Sequence, residues 1–235
     1  MKIIKAISLA ITMIFTGIMI YVLPDTNTIP VHFDINGLPD RYGSKYELLL
    51  MPVTLILMIC LMEFISVRFK KQVANECEKR QQELITNVKV MDILSTIISI
   101  FIFVINTAIL YITYTMTFPN LGLPELDMMS ITGISMGLLF IAIANYMPKT
   151  RKNSNVGFRM PWTMYNDVTW SKSNRFASYV MILAGSVSIV VSLFVKGIIA
   201  VTISISAIIL SIVIMTVYAY IVYREEKKNG NEADN

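Results

Sequence analysis

The chain has 235 residues, of which 55% are hydrophobic and only 15% are charged, and its mean hydropathy is +0.62. This composition excludes a soluble domain, which could not keep so much apolar surface away from water, and it predicts an integral membrane protein. The net charge of +4 comes from segments between apolar runs, which is typical of loops facing an anionic leaflet and not of a nucleic-acid surface.

Six apolar runs are long enough to cross the hydrocarbon core, which is about 30 Å thick, at about 1.5 Å per helical residue. The runs are Ala6–Leu23, Leu48–Val67, Ile93–Met116, Met128–Ala144, Ala177–Val195 and Ile198–Val222. The first run is predicted to be retained, because the sequence after it does not resemble the small-residue cleavage site of a signal peptide. The predicted fold class is an all-α integral membrane protein with six transmembrane helices.

The basic residues divide unequally between the two sides of these spans. With the N-terminus inside, the inner segments hold seventeen of the twenty Lys and Arg residues, and the outer segments hold Arg41, Lys45 and Lys196. Lys and Arg accumulate in cytoplasmic loops, so the division predicts that both termini are cytoplasmic. The outer segments are mildly acidic and would weakly favour a cationic peptide or a metal ion.

The outer loop Pro24–Glu47 carries the signals of a fixed shape. Three prolines restrict its backbone, and Asn36-Gly37 is a tight-turn signal between two β-prone runs, residues 31–35 and 38–40. We therefore expect a structured outer loop.

His32 is the only histidine in the sequence and lies among Asp25, Asp34 and Asp40. A metal site needs three or four converging ligands, and one histidine with scattered carboxylates does not specify one. We predict a hydrogen-bonded histidine that stabilises the loop, and no metal.

Glu63 is the one Asp, Glu, Lys or Arg residue inside a predicted span, about one turn from its inner end. A carboxylate there can reach the interface or pair with Arg68 or Lys70, whereas one near the bilayer centre costs about 2.5–3.5 kcal/mol. The position favours a structural role, and a proton or ligand role is the alternative.

Two further patterns concern helices. Residues 68–92 are strong helix formers without Gly or Pro, and they are predicted to extend the second and third helices as a cytoplasmic hairpin. Gly133 and Gly137 form a GxxxG pattern, which favours close packing inside the bundle over a dimer face.

The inner loop Asn145–Arg175 has a charge of +5 and contains both tryptophans of the chain, Trp162 and Trp170. Its prolines and Gly157 restrict its shape, and its aromatic rings are expected at the headgroup level of the inner leaflet. The simpler alternative is anchoring by positive charge alone.

Both loops carry motifs of a known family. The outer motif comprises Pro24, Ile29-Pro30, His32-Phe33, Gly37, Pro39-Asp40 and Lys45; the inner motif comprises Asn145-Tyr-Met-Pro-Lys149, Asn153, Gly157, Arg159, Pro161-Trp162-Thr163, Trp170 and Arg175. The outer motif resembles an N-terminal domain of unknown function, and the inner motif resembles the core signature of the SdpI family of bacterial six-span immunity proteins. One departure is Ala144, where the family usually has Gly before Asn-Tyr.

This resemblance implies a multi-pass plasma-membrane protein of a Gram-positive bacterium that protects its host from a secreted peptide toxin. It also implies a second role in signalling, in which the protein sequesters a cytoplasmic repressor. Whether this chain both protects and signals, or only protects, stays open. The expected toxin-facing residues are Pro30, His32, Phe33, Asp34, Gly37, Pro39, Asp40 and Lys45. The expected contacts to a regulator or to anionic membrane lipid are Asn145, Pro148, Lys149, Asn153, Gly157, Arg159, Pro161, Trp162, Thr163, Trp170 and Arg175.

No catalytic motif is present, so we predict neither an enzyme nor a cofactor. The alternative function is a small ion-coupled transporter or exporter in which Glu63 and Asn106 line a path. A membrane-embedded hydrolase is a third and weaker hypothesis. The predicted organisation is an N-terminal two-helix region with the outer loop and hairpin (1–92), a four-helix SdpI-like region (93–223) and a disordered tail (224–235).

Overall fold

The computed structural model describes residues 1–34, 36–74, 77–124, 126–152 and 157–233. Its long helices are α1 (Lys2–Val22), α2 (Leu50–Ala74), α3 (Glu78–Thr117), α4 (Met128–Ala144), α5 (Asp167–Phe194) and α6 (Gly197–Ala233). Strands β1 (Ile29–Phe33) and β2 (Pro39–Gly43) form an antiparallel hairpin after α1. Within these ranges, six helices are long and apolar enough to cross a membrane. The predicted all-α integral membrane protein with six spanning helices is confirmed.

The helices run back and forth between two ends of the bundle. We call the end that carries β1 and β2 the hairpin end, and the end that carries residues 145–152 and 157–166 the tryptophan end. Helices α1, α3 and α5 run toward the hairpin end, whereas α2, α4 and α6 run away from it. Helices α1 and α3, which pack together, are therefore parallel.

Helix α5 begins at Asp167, so the prediction of a loop that continues to Arg175 was wrong. The side chain of Asn166 accepts a hydrogen bond from the amide of Thr169 (2.7 Å), and the Thr169 hydroxyl accepts one from the amide of Asn166 (3.1 Å). This reciprocal cap starts the helix inside a polar stretch, where an apolar run gives no signal.

Helices α2 and α3 both continue well past their apolar runs, as the helix formers in residues 68–92 predict. Helix α6 likewise continues to Ala233, beyond position 224 at which the sequence predicted disorder. The Lys172 ammonium donates to the Glu226 carboxylate at 3.0 Å and so ties this extension to α5.

The GxxxG pattern of α4 faces α5, which confirms packing inside the bundle. A β-carbon on Gly137 would lie 2.5 Å from the carbonyl oxygen of Gly185, and one on Gly185 would lie 2.7 Å from that of Gly137. The Ser188 hydroxyl also donates to the Gly133 carbonyl at 2.9 Å. Small residues thus let the two backbones approach closely.

An ion-pair cluster joins α1, α2 and α3 near the tryptophan end. Lys5 is only 4% exposed, and its ammonium donates to Glu63 Oε1 at 2.6 Å and to Asp92 Oδ1 at 2.8 Å. Glu63 thus pairs with Lys5 of the neighbouring helix and not with Arg68 or Lys70, the two partners that the sequence offered. Arg68 instead lies over the ring of Phe64.

Replacing Lys5 by methionine is expected to leave two carboxylates close together without a cation. Breaking a fully buried pair costs about 3–5 kcal/mol, and since both carboxylates are one-third exposed we expect roughly 2 kcal/mol. This corresponds to a fall of about 4–8 °C in the unfolding midpoint in detergent. Lys2→Met is the control, because Lys2 is exposed on the same helix; equal losses for the two variants would contradict the role of the cluster.

Candidate functional site: a cleft at the hairpin end

The turn between β1 and β2 forms as the Asn36-Gly37 signal predicts. Gly37 has a φ of 79°, in the left-handed region that favours glycine. The Asp34 carboxylate accepts hydrogen bonds from the amides of Asn36 (2.8 Å) and Leu38 (2.9 Å). Hydrogen bonds from the Leu38 amide first, and then from Asn36, lower the pKa of Asp34 below its usual value despite some desolvation. Asp34 therefore fixes the turn with its side chain.

His32 and Asp40 pair across the two strands. His32 Nδ1 lies 2.6 Å from Asp40 Oδ1, and both side chains are largely exposed. The predicted hydrogen-bonded histidine is confirmed. In the described ranges, no three His, Cys, Asp or Glu side chains are grouped so as to hold a metal ion.

The base of the hairpin is anchored to the bundle by polar and apolar contacts. The Lys45 ammonium donates to the Leu23 carbonyl at 3.1 Å, and the Thr113 hydroxyl donates to the Pro30 carbonyl at 3.2 Å. Beneath them is an apolar cluster that we call the hairpin cluster, consisting of buried Leu23, Ile29, Leu48 and Leu110. The hairpin therefore sits directly on α1 and α3.

Beside the hairpin lies a cleft of about 1030 Å³, which we call the hairpin-end cleft. Its walls come from the hairpin, the last turns of α3, the described residues of the segment 117–128 and the turn between α5 and α6. Among the predicted toxin-facing residues it is lined by Pro30, Gly37 and Pro39, and not by His32, Phe33, Asp34, Asp40 or Lys45. The structure thus brings three loops together, of which the outer loop motif is only one.

Asp127 joins three of the walls of this cleft. Its carboxylate accepts hydrogen bonds from the amides of Met129 and Ser130 at 3.2 Å, the Ser130 hydroxyl at 2.6 Å and the Gly197 amide at 3.3 Å. It also lies beside the tip of the hairpin, 4.0 Å from where a β-carbon on Gly37 would be. Burial raises the pKa of Asp127, but these hydrogen bonds together hold it below its usual value.

Sequence reasoning overlooked Asp127 as a residue of this candidate site. The available signal was an aspartate directly before an apolar run with a serine three residues later, which is a helix N-cap pattern. Its bond to Gly197 has no local signal, because the two residues are 70 positions apart. Lys196, which precedes Gly197, is exposed and lines the same cleft.

At the tryptophan end, Trp170 is the centre of a compact fold. It is 2% exposed, and its indole Nε1 donates to the Thr150 carbonyl at 3.0 Å. Gly157 has a φ of 122°, and a β-carbon there would lie 2.6 Å from the Trp170 ring. The Trp170 ring therefore packs inside the protein under the Gly157 backbone, and its position at the headgroup level stays a prediction.

The Gly-x-Arg-x-Pro-Trp-Thr run wraps around side chains that are almost fully buried. Asn174 accepts from the Phe158 amide at 2.7 Å, and the Thr163 hydroxyl accepts from the Met160 amide at 2.9 Å. The Thr169 hydroxyl lies 3.2 Å from the Thr163 carbonyl. The run therefore has a defined shape that depends on residues of α5, of which Asn174 was not recognised from the sequence.

Asn87 of α3 holds the same region from the other side. Its Oδ1 accepts from the Arg151 amide at 2.9 Å, and its Nδ2 donates to the Arg151 carbonyl at 3.2 Å. Asn87 is fully buried, so water does not compete for the Asn87 side of this two-point contact. The N-terminal part of the chain is thereby fixed to the segment after α4.

The other predicted inner residues occupy several environments. Asn145 ends α4, Pro148 and Lys149 lie in a short 3-10 turn, Trp162 packs edge-on against Tyr220, and Arg159, Pro161 and Arg175 are exposed; Asn153 lies outside the described residues. Ala144 is fully buried in a cluster with Met147 and Ala177. Its methyl group is accommodated there, so the departure from glycine does not prevent close packing.

The architecture defines a class: a multi-pass membrane protein with a structured hairpin and cleft at one end and a compact aromatic fold at the other. Residues 149–223 match the model of the SdpI/YfhL protein family, and residues 7–56 match a domain of unknown function, DUF1648. The chain is also 34% identical over 107 residues to "Immunity protein SdpI" of Bacillus subtilis (strain 168).

The predicted resemblance to the SdpI family, with its N-terminal domain of unknown function, is thus confirmed. The alignment covers 46% of this chain and 50% of the Bacillus relative, so the chain spans about half the length of that protein. No solved structure matches the chain.

Proposed function

We propose that this protein is a membrane immunity protein that binds a secreted peptide toxin in the hairpin-end cleft. The observation that carries the proposal is the convergence on one cleft of the hairpin, the segment 117–128 and the α5–α6 turn. The similarity to an immunity protein of Bacillus subtilis supports the functional class.

The dimensions and chemistry of the cleft favour a peptide over a small metabolite. Its volume of about 1030 Å³ is at the upper limit for small-molecule pockets, which hold roughly 300–1,000 Å³. Leu38, Leu123 and Leu126 give it an apolar wall, while Lys196 places a cation in it. A short amphipathic stretch of toxin would bury apolar side chains against that wall.

The proposed topology places the hairpin end outside the cell and both termini in the cytoplasm. Its support is the division of basic residues, of which seventeen flank the tryptophan end and three the hairpin end. The cleft then faces the compartment from which a secreted toxin arrives.

In the signalling version of the proposal, the tryptophan end contacts a cytoplasmic repressor. Exposed Arg159 and Arg175 lie on a region that buried hydrogen bonds hold in a fixed shape. Toxin binding can change this surface only if the toxin prefers one arrangement of the bundle, because equal affinity for two states shifts neither. Anionic lipid is the other proposed partner of these arginines.

The test is survival of a toxin-sensitive strain that expresses the chain, challenged with a panel of secreted peptide toxins. We expect protection against at least one toxin, and at least a tenfold lower tolerated dose with Leu123→Glu, which places a charge on the apolar wall. Leu121→Glu is the matched control, since Leu121 is exposed in the same segment and does not line the cleft.

Because both variants change leucines that are exposed or half-exposed, we expect both proteins to be present in the membrane in equal amounts. A blot of the membrane fraction measures these amounts. Absence of protection across the panel would refute the functional class. Protection that is reduced equally by the two variants would refute the cleft as the binding site.

A further inference from the structure

The buried face of α1 is polar along most of its length. The buried residues of α1 are Lys5, Ser8, Thr12 and Thr16. They recur every three or four positions, so they form one stripe along the helix. A membrane helix that packs by shape alone has no need of a lysine and three hydroxyl groups on one stripe.

Helix α3 presents a matching stripe. Helices α1 and α3 are parallel, Lys5 contacts Asp92, and both helices rise equally per residue. Residues that follow Lys5 and Asp92 by the same number of positions therefore lie at the same level. Ser95 is therefore level with Ser8, and Ser99 with Thr12. The stripe continues at Asn106, which is 1% exposed. We call these two facing stripes the polar seam.

Three atoms of the polar seam lack a hydrogen-bond partner. They are Thr16 Oγ1, Ser95 Oγ and Asn106 Nδ2, on side chains that are at most 3% exposed. The other hydroxyls bond back to their own helix, as Thr12 does to the Ser8 carbonyl at 2.7 Å. Buried polar atoms without a protein partner are usually met by water, so ordered water is the expected partner of these three atoms.

The two ends of the seam differ. At the tryptophan end it begins at the Lys5, Glu63 and Asp92 cluster, whose carboxylates are one-third exposed, beside a cavity of about 370 Å³. Lys2 is the other charged residue that lines this cavity. At the hairpin end the stripe of α1 reaches Leu23 and that of α3 reaches Leu110, both in the apolar hairpin cluster.

We propose that the polar seam is a hydrated half-path for protons, open at the tryptophan end and closed by the hairpin cluster. Protons enter from water at the ion-pair cluster and pass between ordered waters as far as Asn106. An apolar constriction without water stops them beyond that point. Ionisable groups at the bundle interior are typical of proton relays, and this inference does not depend on toxin binding.

Close packing by small residues is the competing explanation for the polar seam, and the α4–α5 contact is an example of such packing in this protein. There Gly137 and Gly185 bring the two backbones together, and no ionisable side chain takes part in the contacts described for it. By contrast, the α1–α3 stripes contain no glycine and include a lysine, an aspartate and an asparagine. The polar seam therefore has a composition that close backbone approach does not require.

The test measures proton flux into vesicles that contain the purified full-length protein and a trapped pH-sensitive dye. A potassium gradient with valinomycin supplies the driving force and balances the charge. Vesicles with the wild-type protein should show a proton flux nearly as low as that of empty vesicles. Leu110→Ser, which places a hydroxyl in the hairpin cluster, should raise the flux at least tenfold.

A second pair of changes then tests the path itself. Adding Thr12→Val and Ser99→Ala to Leu110→Ser should return the flux to the wild-type rate, because these changes remove the hydroxyls at one level of the seam. Leu183→Ser is the matched control, since Leu183 is 66% exposed on α5. Vesicles with this variant should keep the wild-type proton flux. Leu23→Ser is a second variant that places a hydroxyl in the hairpin cluster and should raise the proton flux. Size-exclusion profiles verify that the variants fold.

Either of two outcomes overturns the proposal. One is that vesicles with the folded Leu110→Ser and Leu23→Ser variants are as tight as those with the wild type. The other is a leak that persists unchanged after Thr12→Val and Ser99→Ala. Loss of toxin protection bears on neither outcome, so the two proposals fail separately.

Discussion

Trp170→Ala is expected to lower the unfolding midpoint of the purified protein in detergent by about 6–20 °C. The change removes a fully buried indole and leaves a cavity beneath Gly157, and such truncations cost about 3–5 kcal/mol, at about 2–4 °C per kcal/mol for a chain of this size. It also leaves the buried carbonyl of Thr150 without its donor. Differential scanning fluorimetry would measure the effect.

Two variants make this expectation specific. Trp162→Ala removes the other tryptophan, which is only half-buried, and should cost less than half as much. Trp170→Phe keeps most of the ring volume and loses the hydrogen bond to Thr150, which is worth about 1 kcal/mol, so it should cost less than Trp170→Ala. If Trp162→Ala were as damaging as Trp170→Ala, the central role of Trp170 would be contradicted.

Asp127→Ala should reduce both stability and protection against toxin. It removes the N-cap of α4 and the link to Gly197 of α6, for which we expect a loss of roughly 2 kcal/mol. Because the three walls that meet at Asp127 also form the hairpin-end cleft, we expect at least a tenfold drop in the tolerated toxin dose. Asp25→Ala is the control, since Asp25 is exposed at the same end.

The pH dependence of stability provides a second measurement. The pKa of Asp127 is lower in the folded protein than its usual value, so its stabilising effect is present above the unfolded pKa, about 3.9, and is lost as pH falls through the folded pKa. The wild-type protein should therefore lose more stability than Asp127→Ala between pH 5 and pH 3, values chosen to bracket the unfolded pKa. Parallel pH curves for the two proteins would contradict this role.

The sequence was sufficient for the features that depend on local pattern. Six apolar runs predicted six spanning helices, Asn36-Gly37 predicted the hairpin turn, and Gly133 and Gly137 predicted close helix packing. Each of these signals is contained in a few consecutive residues or in one helical period. Physical rules that link pattern to structure are strongest over such distances.

Features that depend on distant partners were not predictable in the same way. The pairing of Lys5 with Glu63 and Asp92 joins three helices, and nothing near Glu63 in the sequence indicates it. Trp170 resembles an interfacial aromatic by composition, yet Gly157 and Thr150 fold back over it. In both cases tertiary packing decided the environment of a side chain whose local signals pointed elsewhere.

The contact between Asn87 and position 151 has a consequence for variation in this protein. Asn87 binds the amide and the carbonyl of residue 151. Both groups belong to the backbone, so every amino acid except proline, which lacks the amide hydrogen, can make this contact. The charge at position 151 can therefore change while the peptide keeps its anchorage to α3.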